Sequence, residues 1–272
     1  LSRFGGGYDF AVCYLVDESL LVDTGFPWAR RSLRKTLIEL GGVETITTVV
    51  NTHYHEDHTG NNDLLIDLCK AQVLVHRDAI PEMRFPAELR WYRSFLFGPA
   101  QQADASPLGA AVKTAHTTLE VIDTPSDLDS QLGDADGPLW ITSLEKVLEL
   151  KPEWLFDAHG TVFEGVDAVE EQLQRKLAFL KTIRNRVYQF STEGQSIQEL
   201  TRKVFDRHGL IDFLSFGEGW LSLITGSDFS RSNIVKSFLR EKFRIENVVE
   251  DAESIENEFQ RNPSSSIDAD LI

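Results

Sequence analysis

Four residues able to bind a metal ion fall within six positions of this sequence: His53, His55, Asp57 and His58, in the stretch Thr52-His-Tyr-His-Glu-Asp-His-Thr-Gly60. Three of the chain's seven histidines are among them. Imidazole and carboxylate donors suit zinc, and also iron or manganese. His53 and His55 are two residues apart, so on an extended segment they point the same way. The Asp57-His58 pair that follows can turn to address a second position. Divalent ions held there would polarise a substrate oxygen and lower the pKa of water towards neutrality, which is the chemistry of hydrolysis.

The elements around this cluster read as alternating strands and helices. FAVCYLV (10–16) and LLVD (20–23) have strand character and join at Glu18-Ser19. Pro27 opens a helix reaching about Leu40, with Leu33, Leu37 and Leu40 at helical spacing, and the Gly41-Gly42 pair stops it. TITTVV (45–50) is a β-branched strand running straight into Asn51-Thr52-His53. A helix over 61–70 with Leu64, Leu65 and Leu68 inward, then the strand QVLV (72–75), complete a pattern that predicts an α/β layer fold. The aromatic-rich piece from Phe85 to Pro99 reads as a helix plus loop, with Trp91, Phe95 and Phe97 available to pack or to wall a pocket. TLEVI (118–122), a helix over 139–150 and the short strand EWLF (153–156) follow.

From about Tyr8 to Gly160 the chain resembles the metallo-β-lactamase superfamily. HYHEDH (53–58) matches its HxHxDH signature, Leu21-Val-Asp-Thr-Gly25 looks like its early DTG turn, and Asp157-Ala-His159-Gly160 looks like its late HG motif. The resemblance implies a four-layer αββα sandwich with the metals at the edge of two sheets. It implies that His53 and His55 bind one ion, and that Asp57, His58 and His159 bind a second. Asp23 would orient a ligand histidine, and Asp57 would also serve catalysis by orienting the nucleophilic water or collecting its proton. The cofactor implied is two divalent ions, zinc first, with iron or manganese as alternatives.

Two parts of the family pattern are altered. Where the family has HTPGH, this chain reads Asp123-Thr-Pro-Ser-Asp127, so Asp127 stands in place of a metal-binding histidine and offers a carboxylate. Gly133-Asp134 carries the letters of the family's GD, whose aspartate bridges the ions, but the polar stretch from Ser126 to Leu132 precedes it instead of an apolar strand. A strand leaving the site and another returning need about five residues each plus a turn, and only seven residues separate Pro125 from Gly133. The spacing therefore predicts a segment absent between these two residues. On that reading Asp127 and Asp134 are look-alikes, and the third ligand of the first ion and the bridging aspartate lie outside this sequence. His76, His116 and His208 match no ligand motif and are read as structural or solvated.

After Gly165 the pattern is all-helical, with one apolar stripe through Val166, Val169, Leu173, Leu177, Leu180, Ile183 and Val187. Ser196-Ile-Gln-Glu199 is a capping-box signature, and Ser230 is placed to cap a last helix. The chain thus divides into a catalytic domain (1–165), a helical accessory domain (166–245) and an acidic tail expected to be disordered (246–272). By resemblance the helical module closes the site or forms a homodimer.

Net charge is −16, and residues 246–272 hold eight acids against Arg261 alone. An acidic surface repels phosphate backbones, which argues against nucleic acid as partner. No run of about 18 apolar residues predicts a transmembrane helix. Residues 1–7 lack a signal-peptide pattern, and because the chain opens on Leu1 rather than Met, a start further upstream is expected. Cys13 and Cys69 form no CxxC pair and read as packed thiols, which fits a reducing cytoplasm. The function expected is hydrolysis of a small-molecule ester, thioester, lactam, lactone or phosphoester. The alternatives are an iron-dependent oxidoreductase of the same fold and a degenerate, non-catalytic binding protein.

Overall fold

In the computed structural model the apolar run Cys13–Val16 alternates between buried and half-buried positions, as a strand with one face on a core must. The structure describes residues 2–4, 12–86, 91–99, 101–124, 136–156, 161–205 and 230–261. The chain divides into two compact units, Leu1–Asp123 with Leu150–Gln172, and Thr124–Glu149 with Leu173–Ile272.

The first unit is organised by a mixed six-stranded sheet. Strands β1 (Ser2–Phe4), β2 (Cys13–Val16) and β3 (Leu20–Val22) pair antiparallel, and Val16 lies opposite Leu20. Asp17 and Glu18 take left-handed φ of 48° and 56° to close this hairpin, and the Ser19 N–H donates to the Val16 carbonyl at 3.2 Å. Pro27–Ala29 forms a single 3-10 turn that leads into α1 (Arg30–Glu39). Leu33 and Leu37 face the core, while Leu40 lies beyond the helix end and is exposed. Gly41 and Gly42, both at φ 121°, stop the helix where a side chain would be strained.

β4 (Thr48–Val50) then pairs parallel to β3, with Val22 opposite Val50. It is shorter than the TITTVV run, whose start closes a 3-10 turn over Val43–Thr45. A single helical turn, α2 (Glu56–Thr59), and α3 (Asn62–Cys69) lead to β5 (Gln72–Val75), parallel to β4. In α3, Leu65 is fully buried, with Ile66 and Cys69 partly buried against the same core. That stripe leaves Leu68, expected inward, 43% exposed. The two short helices α4 (Ile80–Arg84) and α5 (Trp91–Phe97) precede β6 (Ser106–Pro107), the last strand of the sheet. Leu21, Val49, Val73 and Val75 from the sheet, with Leu33, Leu37, Ile46 and Leu65, make its dry core.

Two hairpins complete the unit. β7 (Ala111–Lys113) pairs with β8 (Thr118–Glu120), and β9 (Trp154–Phe156) pairs with β10 (Val162–Glu164).

The second unit is helical. α6 (Gly137–Glu149) buries Trp140, Ile141 and Leu144. From Leu173 on, the long helix α7 (Val166–Phe190) belongs to this unit; it carries the stripe read from the sequence, and Leu173, Leu180, Ile183 and Val187 are buried along it. α8 (Ile197–Val204) starts where its capping box predicts, with Ser196 Oγ accepting from the Glu199 N–H at 3.3 Å. The Ser230 hydroxyl accepts from the Ser232 N–H at 3.2 Å at the start of α9 (Arg231–Arg261). Gly137 lets α6 touch α9 directly: a Cβ there would lie 2.5 Å from the Phe238 ring. Positions 246–261, which composition assigns to the acidic tail, continue α9.

Candidate metal centre

The parallel pairing of β3 with β4 fixes the location of the cluster. Because Val22 lies opposite Val50, the residues that leave the two carboxyl ends, Asp23 and Asn51, emerge side by side. Crevices outside the carboxyl ends of parallel strands are the usual ligand sites of such sheets. The Asp23 N–H donates to the Val50 carbonyl at 2.9 Å and the Asn51 N–H to the Leu74 carbonyl at 2.9 Å, so each strand hands its last bond to its neighbour.

Asp23 is buried and adopts a left-handed φ of 59°. Its Oδ1 accepts from the Thr52 N–H at 2.8 Å. Its Oδ2 accepts from the Thr52 hydroxyl at 2.9 Å and meets His58 Nδ1 at 2.8 Å. That bond commits Nδ1 of His58 and leaves Nε2 as the free donor atom. On the other side Nε2 lies 3.5 Å from Asp57 Oδ2. His53 is oriented the same way, with its Nδ1 3.1 Å from the Thr52 hydroxyl.

Among the described residues, His53, Asp57 and His58 can each offer one donor atom such that all three lie within 4.8 Å of one another. Ligands about 2.0–2.1 Å from a tetrahedral zinc stand roughly 3.3 Å apart. The 3.5 Å separation of His58 and Asp57 already matches one such edge, and two imidazoles with a carboxylate are a donor set that zinc accepts. The carboxylate behind His58 is the arrangement that raises ligand basicity and fixes the ring. These residues therefore fit a divalent ion.

His55 stands beside this group rather than in it, its ring centroid 4.7 Å from that of His53, while His58 approaches His53 to 4.0 Å. The structure thus gathers His53 with Asp57 and His58, where the family resemblance pairs it with His55. His159, Asp127 and Asp134 lie outside the described residues, as do His208 and the predicted gap between Pro125 and Gly133. His76 and His116 are not in the grouped donor set. The former accepts from the Asp78 N–H at 3.4 Å as the cap of a short 3-10 turn, and the latter donates its N–H to Asp17 at 3.2 Å.

Electrostatics follow from packing charge partners together. Burial would raise the Asp57 carboxyl, but its hydrogen bond to His58 and the nearby His58, His53 and His55 rings hold it well below the usual carboxylate range. Burial would depress His58, yet Asp23 and Asp57 raise it well above an ordinary histidine. Without metal, the two flanking carboxyl groups therefore favour the protonated form of His58. A divalent cation bound there would replace that proton.

A polar network that the sequence reading missed holds the loop in place. The Thr24 N–H and Asn51 Nδ2 both donate to the His58 carbonyl, at 2.7 and 3.0 Å. Asn62 Nδ2 donates to Asn51 Oδ1 at 2.7 Å, and Asn61 Nδ2 to the Thr24 carbonyl at 2.8 Å. Thr24, Asn51, Asn61 and Asn62 are all buried. They satisfy backbone groups that an irregular loop would otherwise leave unpaired. The signal was present in the letters, since Thr24 lies within DTG, Asn51 precedes the ligand run and Asn61-Asn62 follow His58-Thr-Gly60, and these residue types bond to turn backbones.

Comparison with known proteins shows the family and the fold. The family model described as Metallo-beta-lactamase superfamily matches residues 6–143, half of the chain. Metallo-beta-lactamase domain-containing protein 1 of Mus musculus is 34% identical over 139 residues, covering 48% of this chain and 52% of that protein. Its Homo sapiens counterpart is 33% identical over 142 residues, 49% of this chain and 52% of that protein. The match thus spans about half the length of these curated relatives. Among solved structures, a metallo-beta-lactamase family protein from Thermus thermophilus superposes with a TM-score of 0.60 at 18% identity, covering 88% of this chain and 92% of that one. A metallo-beta-lactamase from Novosphingobium pentaromativorans gives 0.52 at 15% identity, over 66% and 86%.

Proposed function

The chain belongs to the metallo-beta-lactamase superfamily and shares its fold, and from that premise we propose that it is a metal-dependent hydrolase of a small-molecule ester, thioester, lactam, lactone or phosphoester. The observation that carries this reading is the convergence of His53, Asp57 and His58 donor atoms within 4.8 Å, with Asp23 fixed behind His58.

A divalent ion at this centre would supply Lewis acidity and lower the pKa of water. The protein's own part is positional. Asp23 accepts the His58 Nδ1 proton and so holds Nε2 towards the ion. Thr52 does the same for His53 and is itself held by Asp23. Asp57, kept anionic by the surrounding imidazoles, is the group able to orient a water or take its proton. We propose two ions, most readily zinc, one held by His53 and His55 with Asp127 as a further candidate, the other by Asp57, His58 and His159, with Asp134 as the candidate bridge. Asp127 and Asp134 remain look-alikes if a segment is absent between Pro125 and Gly133.

A second reading is an iron-dependent oxidoreductase, because histidine and carboxylate donors also suit iron. The donor set favours this over a degenerate binding protein, whose ligands would have no reason to converge. Among the described residues no helix is long and apolar enough to cross a membrane. Both cysteines are free, which supports a cytoplasmic setting. The excess of acidic residues supports a small-molecule substrate over nucleic acid. We also propose residues 1–165 as the catalytic division, 166–245 as helices that act in substrate access or homodimer formation, and 246–272 as an acidic tail.

The test is elemental analysis of natively purified protein together with a panel of the five substrate classes. His58→Ala and Asp57→Ala should lose metal and activity together. Unchanged metal stoichiometry in both variants would sink the hydrolase reading, and iron as the native metal with no hydrolysis would select the oxidoreductase.

A further inference from the structure

One acidic residue inside the ligand string is not part of the ligand group. Glu56 lies between His55 and Asp57, opens α2, and is 4% exposed. A carboxylate buried that deeply is costly unless it is paired. Its partner comes from α5, thirty-seven residues along the chain. Arg93 Nε donates to Oε1 at 2.6 Å and Nη2 donates to Oε2 at 2.6 Å, a two-pronged contact that uses both carboxylate oxygens. Arg93 is itself only 15% exposed at its side chain.

Two features give this pair a consequence for the metal centre. First, α2 is a single turn whose cap residue, His55, makes no side-chain capping bond. So short a helix has no stability of its own and takes its position from what grips it. Asp23 grips it at His58, and Arg93 grips it at Glu56. Asp57 sits between these two anchors. Secondly, a free glutamate one residue from the ligands would be a competing oxygen donor. Arg93 occupies both of its oxygens, which leaves Asp57 as the carboxylate grouped with His53 and His58. Arg93 is also within electrostatic reach of Asp57.

The anchor is firmly seated. Phe97 of α5 packs edge-on against Phe26 with ring centroids 6.3 Å apart, and Gly98 lies so close to Trp28 that a Cβ there would be 2.5 Å from the indole. α5 therefore rests on the segment that follows the DTG turn, whose own Asp23 and Thr24 bond to His58.

Building on the metal-centre reading, we infer that Arg93 is a positioning residue of that centre: through its fork on Glu56 it sets the orientation of α2 and keeps Glu56 out of the coordination sphere.

The probe is Co2+, titrated into metal-free full-length protein and followed by its visible absorption bands and by its affinity. Arg93→Met should weaken Co2+ binding about 10- to 100-fold, as loss of a residue supporting metal ligands commonly does. It should also change the visible bands as Glu56 enters the coordination sphere. The double variant Glu56→Gln with Arg93→Met should return the wild-type bands, because no free carboxylate remains. Arg93→Lys, which keeps the charge and loses the fork, should fall between wild type and Arg93→Met. A purely structural pair would lower the melting temperature while the folded protein kept wild-type affinity and bands, and that result in Arg93→Met overturns the inference. If Arg93→Met does not fold, Arg93→Lys decides: unchanged affinity and bands overturn the inference. Wild-type protein that fails to bind Co2+ would overturn the metal-centre reading and this inference with it, whereas wild-type binding unaffected by the Arg93 variants overturns this inference alone.

Discussion

Asp23 carries the most structure per atom at this site, since two oxygens serve a backbone N–H, a hydroxyl and an imidazole. Asp23→Asn keeps the shape but puts an amide where His58 needs an acceptor. It should lower zinc affinity about 10- to 100-fold with a much smaller loss of stability; equal zinc Kd values for variant and wild type by competition titration would count against the role. The same cluster sets a pH dependence for the metal-free protein. His58 is raised above its ordinary 6.5 in the folded state, so its contribution is fully present below about 6.5 and is lost as pH rises through the folded value. Asp57 is depressed below its ordinary 3.8, so its contribution is present above about 3.8 and is lost as pH falls through the folded value. The metal-free melting temperature should therefore decline above pH 6.5, while the added stability from zinc grows over the same range as the His58 proton becomes easier to displace. Calorimetric scans from pH 5 to 9, with and without zinc, check both, and a metal-free melting temperature that rises from 6.5 to 9 would contradict the assignment. At this scale the sequence was legible where the ligands are neighbours. HYHEDH sits in one run, and Asp23 was found through the DTG turn. Arg93 was not legible, because its partner is thirty-seven residues away in a stretch where aromatic letters dominate.

Elements around the site are held by close backbone approach as much as by apolar burial. Gly60 ends α2 with an ordinary helical φ of −62°, so its role is space rather than conformation. A Cβ there would lie 2.2 Å from Pro27 Cδ, 2.4 Å from Pro27 N and 2.6 Å from the Glu56 carbonyl. Gly60→Ala must therefore push the metal-bearing turn away from the Pro27 turn, a forced overpacking that costs about 1–3 kcal/mol. The variant should melt several degrees lower and hold zinc less tightly, and a wild-type melting curve would rule out the close contact. Strong periodic segments such as α1, α3 and α7 were legible from their apolar spacing. The four-residue α2 was not, since it has no amphipathic pattern and exists because Asp23 and Arg93 hold it. Inward facing in α3 was legible for Leu64 and Leu65, both buried in the main core, and misjudged for Leu68: the stripe could continue from Leu64 to Leu68 or pass through Ile66 and Cys69, and it takes the second course. Nothing local in the sequence distinguishes those two courses.

At the scale of the molecule, the acidic C-terminal stretch tests where stabilising burial ends. α9 buries Asn233, Ile234, Val235, Ser237 and Phe238, and Phe238 packs into the space left open at Gly137. Further on, Phe243 and Ile245 are 55% and 49% exposed. A cut after 245 therefore falls in an exposed stretch, with Glu246 and Asn247 exposed as well. It breaks the Lys242–Glu246 ion pair at 3.6 Å, a partly exposed contact contributing less than about 1 kcal/mol. It also deletes eight acids and Arg261, taking the net charge from −16 to −9 and easing self-repulsion at low salt. The continuation of the helix to Arg261 does not alter this balance, because helical stability in proteins comes mainly from packing an apolar face. The truncated protein should keep its melting temperature within about 2 °C and its full metal content. Phe238→Ala is the counterpart that removes buried contact, and it should cost about 3–5 kcal/mol. Parallel thermal scans of the two variants decide the boundary: a truncation as destabilising as Phe238→Ala would mean that residues after 245 pack against the helical unit and belong to it.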